Sequence, residues 1–311
     1  MSAPVLSHLE PEAVHRAAEI LGNGGLVALP TETVYGLGAS IESRTGVQRI
    51  FAAKGRPSHH PLIVHGSSPL ILDHVADQPS TIARYLADAV WPGPLSLLVP
   101  RSGTLDSAIT GGRDTVVVRV PAHDFFRTVV DRLGCGIAAP SANRFGRVSP
   151  TAAEHVAADL GDDVDLIVDG GPSVIGLEST ILDTTTEPLQ VLRHGGVAIE
   201  DLETLLDAPI AEAGGTVRAP GMLASHYAPR CRVILAESLA EAQSVIQDLP
   251  PTTRVIDTPP AISVYAATLY GTLRQCDADG LTHAIFVLPP NQGLGRAIRD
   301  RLGRASSTKI G

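Results

Sequence analysis

The chain has 311 residues, which at roughly 150 residues per domain predicts two domains, each long enough to bury a core. Hydrophobic residues make up 44% and charged ones 18%, a soluble globular composition that excludes disordered and fibrous classes. Acidic residues outnumber basic ones 33 to 24 for a net charge of −9, and aromatics are only 4%, which excludes an overall basic footprint and repeated base-stacking platforms.

Helix-like and strand-like periods alternate along the chain, predicting an α/β architecture with a largely buried sheet. An amphipathic helix is expected over 11–23, starting at Pro11, and a short apolar strand within 24–30. Ser43 caps a helix running to about Ala53, which Lys54-Gly55-Arg56-Pro57 breaks. Strands follow at 61–65, 95–100, 115–121 and 136–140. Thr151 with Glu154 reads as a capping box for a helix ending near Gly161. Three further strands, at 165–170, 179–183 and 189–195, close the first unit, followed by a short helix that ends near Asp207. The stretch 208–230 is rich in Gly, Ala and Pro without a clear period and reads as a linker. From 231 to 311 a β-α-β-α-β-α series predicts a small three-layer α/β domain.

Cys135, Cys231 and Cys276 are odd in number and widely spaced, so neither a disulfide framework nor a cysteine zinc site is indicated. The N-terminal segment lacks a basic n-region and an apolar h-region, and a reduced, cytoplasmic protein without membrane attachment is expected. Neither lysine follows a glycine, so a P-loop is absent, and Ile41 and Ile298 stand where a third glycine would complete a dinucleotide fingerprint. Neither HExxH nor GxSxG occurs.

Four polar clusters remain, each where a predicted strand ends, the usual place for sites in open α/β sheets. Pro30-Thr31-Glu32-Thr33-Val34-Tyr35-Gly36-Leu37-Gly38 offers hydroxyls and close backbone approach to a small ligand, or a turn bonding its own backbone. Lys54-Gly55-Arg56-Pro57 suits an anionic group, or a helix C-terminus with its complementary cations and glycine cap. Of the 24 basic residues only Lys54 and Lys309 are lysines, so the placement of one here is notable. His59 and His60, adjacent and before Pro61, are expected to point apart, which with the isolated His65 weakens a zinc reading. Pro140-Ser141-Ala142-Asn143, followed by Ser149-Pro150-Thr151, leads into a helix N-terminus that favours phosphate, or is a capped loop. Gly176-Leu177-Glu178-Ser179-Thr180 precedes Arg193 on the next strand. Arg119 interrupts an apolar strand, and a buried guanidinium there needs an anionic partner, either a protein carboxylate or a bound ligand. Without an evident nucleophile–base pair, the set suits two anionic substrates reacting through proximity and charge stabilisation.

Together PTETVYGLG, KGRP with PLIVH, PSAN with SPT, and GLESTILD resemble the YrdC-type threonylcarbamoyl-AMP synthases. The segment APGMLASHYAP and the ending GLGRAIRDRLGRAS resemble their long, two-domain form, so the likeness covers nearly the whole chain. It implies a twisted, open, mainly parallel sheet over 1–207, a lid over 208–230 and a small Rossmann-like domain over 231–311. It implies a nucleotidyltransferase that joins L-threonine, bicarbonate or CO₂, and ATP into threonylcarbamoyl-adenylate and pyrophosphate, with Mg²⁺ accompanying ATP. A separate transferase then uses the adenylate to modify the tRNA adenosine beside the anticodon. By the same resemblance Thr33, His65, Arg119, the backbone at Ala139, and Ser179 hold L-threonine. Lys54, Arg56, His60, Thr115, Ser141, Asn143, Ser149, Arg193 and Tyr227 surround ATP, with Lys54 and Arg56 carrying the catalytic charge. His60 departs from the family, where asparagine is common. Two rival classes are an RNA-binding module, against which the first 200 residues carry 14 basic and 22 acidic side chains, and a carbamoyl-transfer accessory, which needs acylphosphatase-like and zinc-finger segments. No stable nucleic-acid complex is expected.

Overall fold

The computed structural model describes residues 3–214 and 227–306. In chain order its elements are β1 (Val5–Ser7), α1 (Ala13–Gly22), β2 (Val27–Leu29), β3 (Gly36–Ser40), α2 (Arg44–Lys54), β4 (Ile63–His65), α3 (Ile71–Val75), α4 (Thr81–Val90), β5 (Leu95–Pro100), α5 (Ser107–Thr110), β6 (Thr115–Arg119), α6 (Asp124–Leu133), β7 (Ile137–Ala138), α7 (Ala153–Leu160), β8 (Leu166–Asp169), β9 (Thr180–Asp183), β10 (Gln190–Arg193), α8 (Ile199–Leu206), β11 (Ala211–Glu212), β12 (Arg232–Ala236), α9 (Leu239–Val245), β13 (Thr253–Ile256), α10 (Ile262–Ala278), β14 (His283–Val287) and α11 (Leu294–Ser306).

β1 to β11 form one open sheet in the order β1-β8-β2-β3-β7-β4-β6-β5-β9-β10-β11. The expected α/β class stands, with neighbours shared equally: five pairs are parallel and five antiparallel. Separate apolar clusters cover the two faces, one of them around Phe126, Leu21 and Val168 beneath α1 and α6. α8 buries Ile199 and Leu202 in the larger cluster, and β11 pairs with β10, so the first unit runs on to Glu212. Residues 215–226 of the expected linker lie outside the described residues, as does Lys309.

The small domain is a parallel sheet in the order β12-β14-β13, with α9, α10 and α11 around it. Its core is continuous with the first unit. Val34, Val148 and Leu177 pack in one cluster with Tyr270, Leu273 and Leu302. Gly176, at φ +73°, allows the close approach: a Cβ there would stand 2.5 Å from the Ala267 Cα of α10. No helix among the described residues is long and apolar enough to cross a membrane.

Local chemistry explains the elements that carry the clusters. Ser43 Oγ accepts from the Gly46 amide at 3.0 Å to start α2, and Gly55 ends it in the left-handed conformation. The Thr151–Glu154 capping box does not form. α7 has Ala152 as its N-cap, because the Thr151 amide instead donates to the His155 ring at 3.2 Å. His59 and His60 do not point apart; their rings meet edge-on 4.5 Å apart, since the chain turns back with the His60 amide donating to the Pro57 carbonyl.

Candidate functional site

The ends of β2, β4, β6 and β7 open onto a cleft lined by the first unit and by Tyr227. Pairing in register places His65 of β4 beside Arg119 of β6, with β7 on the other side. Thr33, His65, Arg119, Ala139 and Ser179 line one end of the cleft, and Arg56, Ser141, Arg193 and Tyr227 also line it. All of these except Ser141 are buried.

At the first end, Arg119 Nη2 stands 2.6 Å from Glu32 Oε1, Nη1 donates to Thr33 Oγ1 at 2.9 Å, and Nε donates to the Gly93 carbonyl at 3.1 Å. The anion demanded by a guanidinium inside an apolar strand is therefore a carboxylate of the chain itself. The Glu32 oxygens lack aligned hydrogen bonds, so this contact is a charge pair rather than a bidentate fork. Thr31 Oγ1 bonds the Thr33 hydroxyl and donates to the Val34 carbonyl, shaping the turn after β2. Burial, then the neighbouring Arg119, pushes the His65 pKa down to about 3, which keeps the ring neutral and able to accept a hydrogen bond.

At the second end, Arg56 donates to the Pro61 carbonyl at 3.0 Å while its buried Nε has no hydrogen-bond partner. No carboxylate pairs with Arg56 among the described residues. Burial and the nearby Arg193 bring its pKa down to about 10, against an opposing contribution from Tyr227. Arg193 donates from Nε and Nη2 to the Ser179 carbonyl and from Nη2 to Ser179 Oγ at 2.9 Å. Ser179 thus joins the two ends, and its hydroxyl also bonds Ser96 Oγ at 2.7 Å. Gly195 lets β10 approach so closely, since a Cβ there would stand 2.2 Å from the Glu178 carbonyl oxygen.

Lys54, Asn143 and Ser149 lie one layer behind the wall. Lys54 Nζ donates to the Ser141 and Asn143 carbonyls, and burial followed by the charge of Arg56 holds its pKa well below the usual range. The Asn143 amide bonds the Ser141 hydroxyl and the Arg144 and Arg147 carbonyls. Ser149 Oγ donates to Glu178 Oε1 at 2.7 Å. Thr115, at the start of β6, and His60, whose pKa burial and Arg56 lower to about 4, are outside the cleft lining.

Three residues escaped the sequence reading. Glu32 sat inside a quoted motif without a role. Tyr270 and Arg301 both bond Glu178. A signal for Arg301 existed: with Ala297, Ile298, Leu302 and Ala305 it falls on the buried stripe of α11, which is the argument that singled out Arg119.

Residues 19–195 match the family described as "Telomere recombination", and residues 197–307 match "Threonylcarbamoyl-AMP synthase, C-terminal domain". The chain is 37% identical to the threonylcarbamoyl-AMP synthase of Pyrococcus abyssi over 98% of its length and 97% of the relative's. It is 36% identical to that of Bacillus subtilis over 98% and 96% of the two chains. The crystal structure of P. abyssi Sua5 complexed with L-threonine superposes with a TM-score of 0.94 at 36% identity, covering 98% of both chains. The cleft motifs, the shared core of the two domains and these end-to-end likenesses lead to one conclusion: the chain belongs to the threonylcarbamoyl-AMP synthases, in their long, two-domain form.

Proposed function

We propose that the chain makes threonylcarbamoyl-adenylate and pyrophosphate from L-threonine, bicarbonate or CO₂, and ATP. The observation that carries this reading is the pairing, within one cleft, of a polar end at Arg119 with an end where buried Arg56 has no carboxylate partner among the described residues. A buried cation without an anion calls for an anionic ligand.

In this reading the threonine carboxylate shares Arg119 with Glu32, while Thr33, neutral His65, the Ala139 backbone and Ser179 orient the rest of the amino acid. The deprotonated amine captures CO₂, forming a carbamate C–N bond and giving up a proton to solvent. A carbamate oxygen then attacks the α-phosphorus of ATP, a P–O bond forms, and the bond to pyrophosphate breaks. Arg56 and Arg193 offset charge on the phosphates, Ser141 adds a hydroxyl, and Tyr227 covers the nucleotide. Lys54 and Asn143 act through the loop they hold, and Ser149 through Glu178. The role of Ser179 at the junction is to place carbamate and phosphorus together, so alignment supplies most of the acceleration. Mg²⁺ accompanying ATP would, with Arg56 and Arg193, offset charge on the phosphates. The product is a reactive mixed anhydride, which a transferase acting on tRNA adenosine in the cytoplasm consumes.

The test is pyrophosphate release from ATP, Mg²⁺ and bicarbonate with and without L-threonine. Release that requires threonine supports the reading, and release indifferent to threonine overturns it.

A further inference from the structure

Glu178 lies at the seam of the two domains, and most of what holds it comes from the small one. Arg301 Nε donates to its Oε2 at 2.8 Å, and the Tyr270 hydroxyl stands 2.8 Å and 3.0 Å from its two oxygens. We propose that Arg301 is a positioning residue for the nucleotide end: it neutralises Glu178 so that Arg193 keeps its charge for phosphate, and with Tyr270 it seats Tyr227. This rests on the reading above that Arg193 and Tyr227 meet ATP.

Arg301 is fully buried although it belongs to α11 of the small domain. Its Nη2 donates to the His194 carbonyl at 2.9 Å, fixing the backbone next to Arg193, and its Nη1 bonds Asp300. Its guanidinium lies 5.2 Å from the centre of the Tyr227 ring, and the Tyr270 ring stacks against Tyr227 at 5.5 Å. Tyr227 has φ +66°, a left-handed backbone that is unfavourable for a bulky residue and that the surrounding contacts sustain. Burial alone pushes the Glu178 carboxyl up. Arg301 and Arg193, with hydrogen bonds from Arg301 and Ser149, outweigh it and hold the pKa at about 2. Glu178 is therefore a full negative charge lining a cleft meant for phosphates. Without Arg301 its attraction falls on Arg193, and its repulsion falls on the nucleotide. The small domain is thus part of the site's electrostatics, not only the far end of a lid.

The experiment uses the full-length protein and steady-state pyrophosphate release, with ATP and L-threonine varied separately. Arg301→Met is expected to raise the ATP KM at least about 10-fold and leave the threonine KM within about 2-fold, as loss of a charge-assisted contact at one end predicts. Adding Glu178→Gln to Arg301→Met is expected to bring the ATP KM back to within about 3-fold of the parent, because the uncompensated charge is gone. An unchanged ATP KM, an equal rise in both KM values, or no recovery in the double variant overturns the proposal. If Arg301→Met does not fold, Tyr270→Phe decides: a rise of about 2- to 5-fold in the ATP KM alone supports the proposal, and no rise overturns it. Arg193→Lys separates the two levels. If it leaves the ATP KM unchanged, the nucleotide assignment falls and this proposal with it; if it raises the ATP KM while Arg301→Met does not, only the role of Arg301 falls.

Discussion

Each end of the cleft buries an arginine close to a glutamate, and the two ends arrange that pair in different ways. At the Arg119 end the pair is direct: Arg119 faces the cleft and Glu32 stands 2.6 Å from it, both supplied by the large sheet and its loops. At the Arg56 end the glutamate itself lines the cleft, and its ion-pair partner at 2.8 Å, Arg301, comes from the other domain. The first arrangement is complete within one domain and close to neutral. The second leaves Arg56 without a carboxylate among the described residues, and it draws Arg301 and Tyr270 from the small domain. A zwitterionic amino acid and a polyanionic nucleotide ask for those two balances of charge.

Three measurements break or sharpen this contrast. Arg119→Gln has the largest expected effect: it strands Glu32 and lowers the unfolding free energy by roughly 3–5 kcal/mol, read from denaturant midpoints. In the folded fraction it raises the threonine KM about 100-fold more than the ATP KM. Equal effects on both KM values would refute the separation of the ends. Lys54→Met comes next. It frees the Ser141 and Asn143 carbonyls, so a loss of roughly 2–4 kcal/mol is expected from two unmet acceptors, together with a selective rise in the ATP KM. A threonine-selective effect would place Lys54 on the wrong side of the comparison.

The smallest effect is that of pH on His65. Its pKa falls from 6.5 unfolded to about 3 folded, so below pH 6.5 the unfolded chain binds the extra proton. The histidine's contribution is then fully present above pH 6.5 and is lost as pH falls toward 3. At pH 5 that loss is roughly 2 kcal/mol. His65→Gln should flatten the stability profile between pH 7 and pH 5, and an unaltered slope would show that the ring is not held neutral. Glu178, with its pKa near 2, contributes the same sign of dependence at lower pH, since its stabilisation is present above the ordinary carboxylate range and lost as pH falls through 2.

Much of the site was legible because its clusters sit at strand ends that apolar runs announce. LSLLVP coincides with β5, and KGRP ends α2 with Gly55 as its cap. Gly36–Ser40 is a buried strand that no apolar run announces, because glycines and small residues carry little strand signal. Thr151 and Glu154 have the spacing of a capping box, and a histidine four residues on took the amide instead. Lys54 was expected to face phosphate and faces two carbonyls, an outcome no spacing rule distinguishes.

The sequence by itself determined the alternation of helices and strands, the four polar clusters, and the requirement that a guanidinium within TVVVRVP meet an anion. Periodicity and turn chemistry act over a few residues, so they are written locally. Only the tertiary structure decided that the anion is Glu32, that Lys54, Asn143 and Ser149 stand behind the wall, and that Arg301 reaches Glu178 across 123 residues of chain. Those outcomes depend on which surfaces the two domains bury against each other, and a buried charge takes the partner that packing brings within reach.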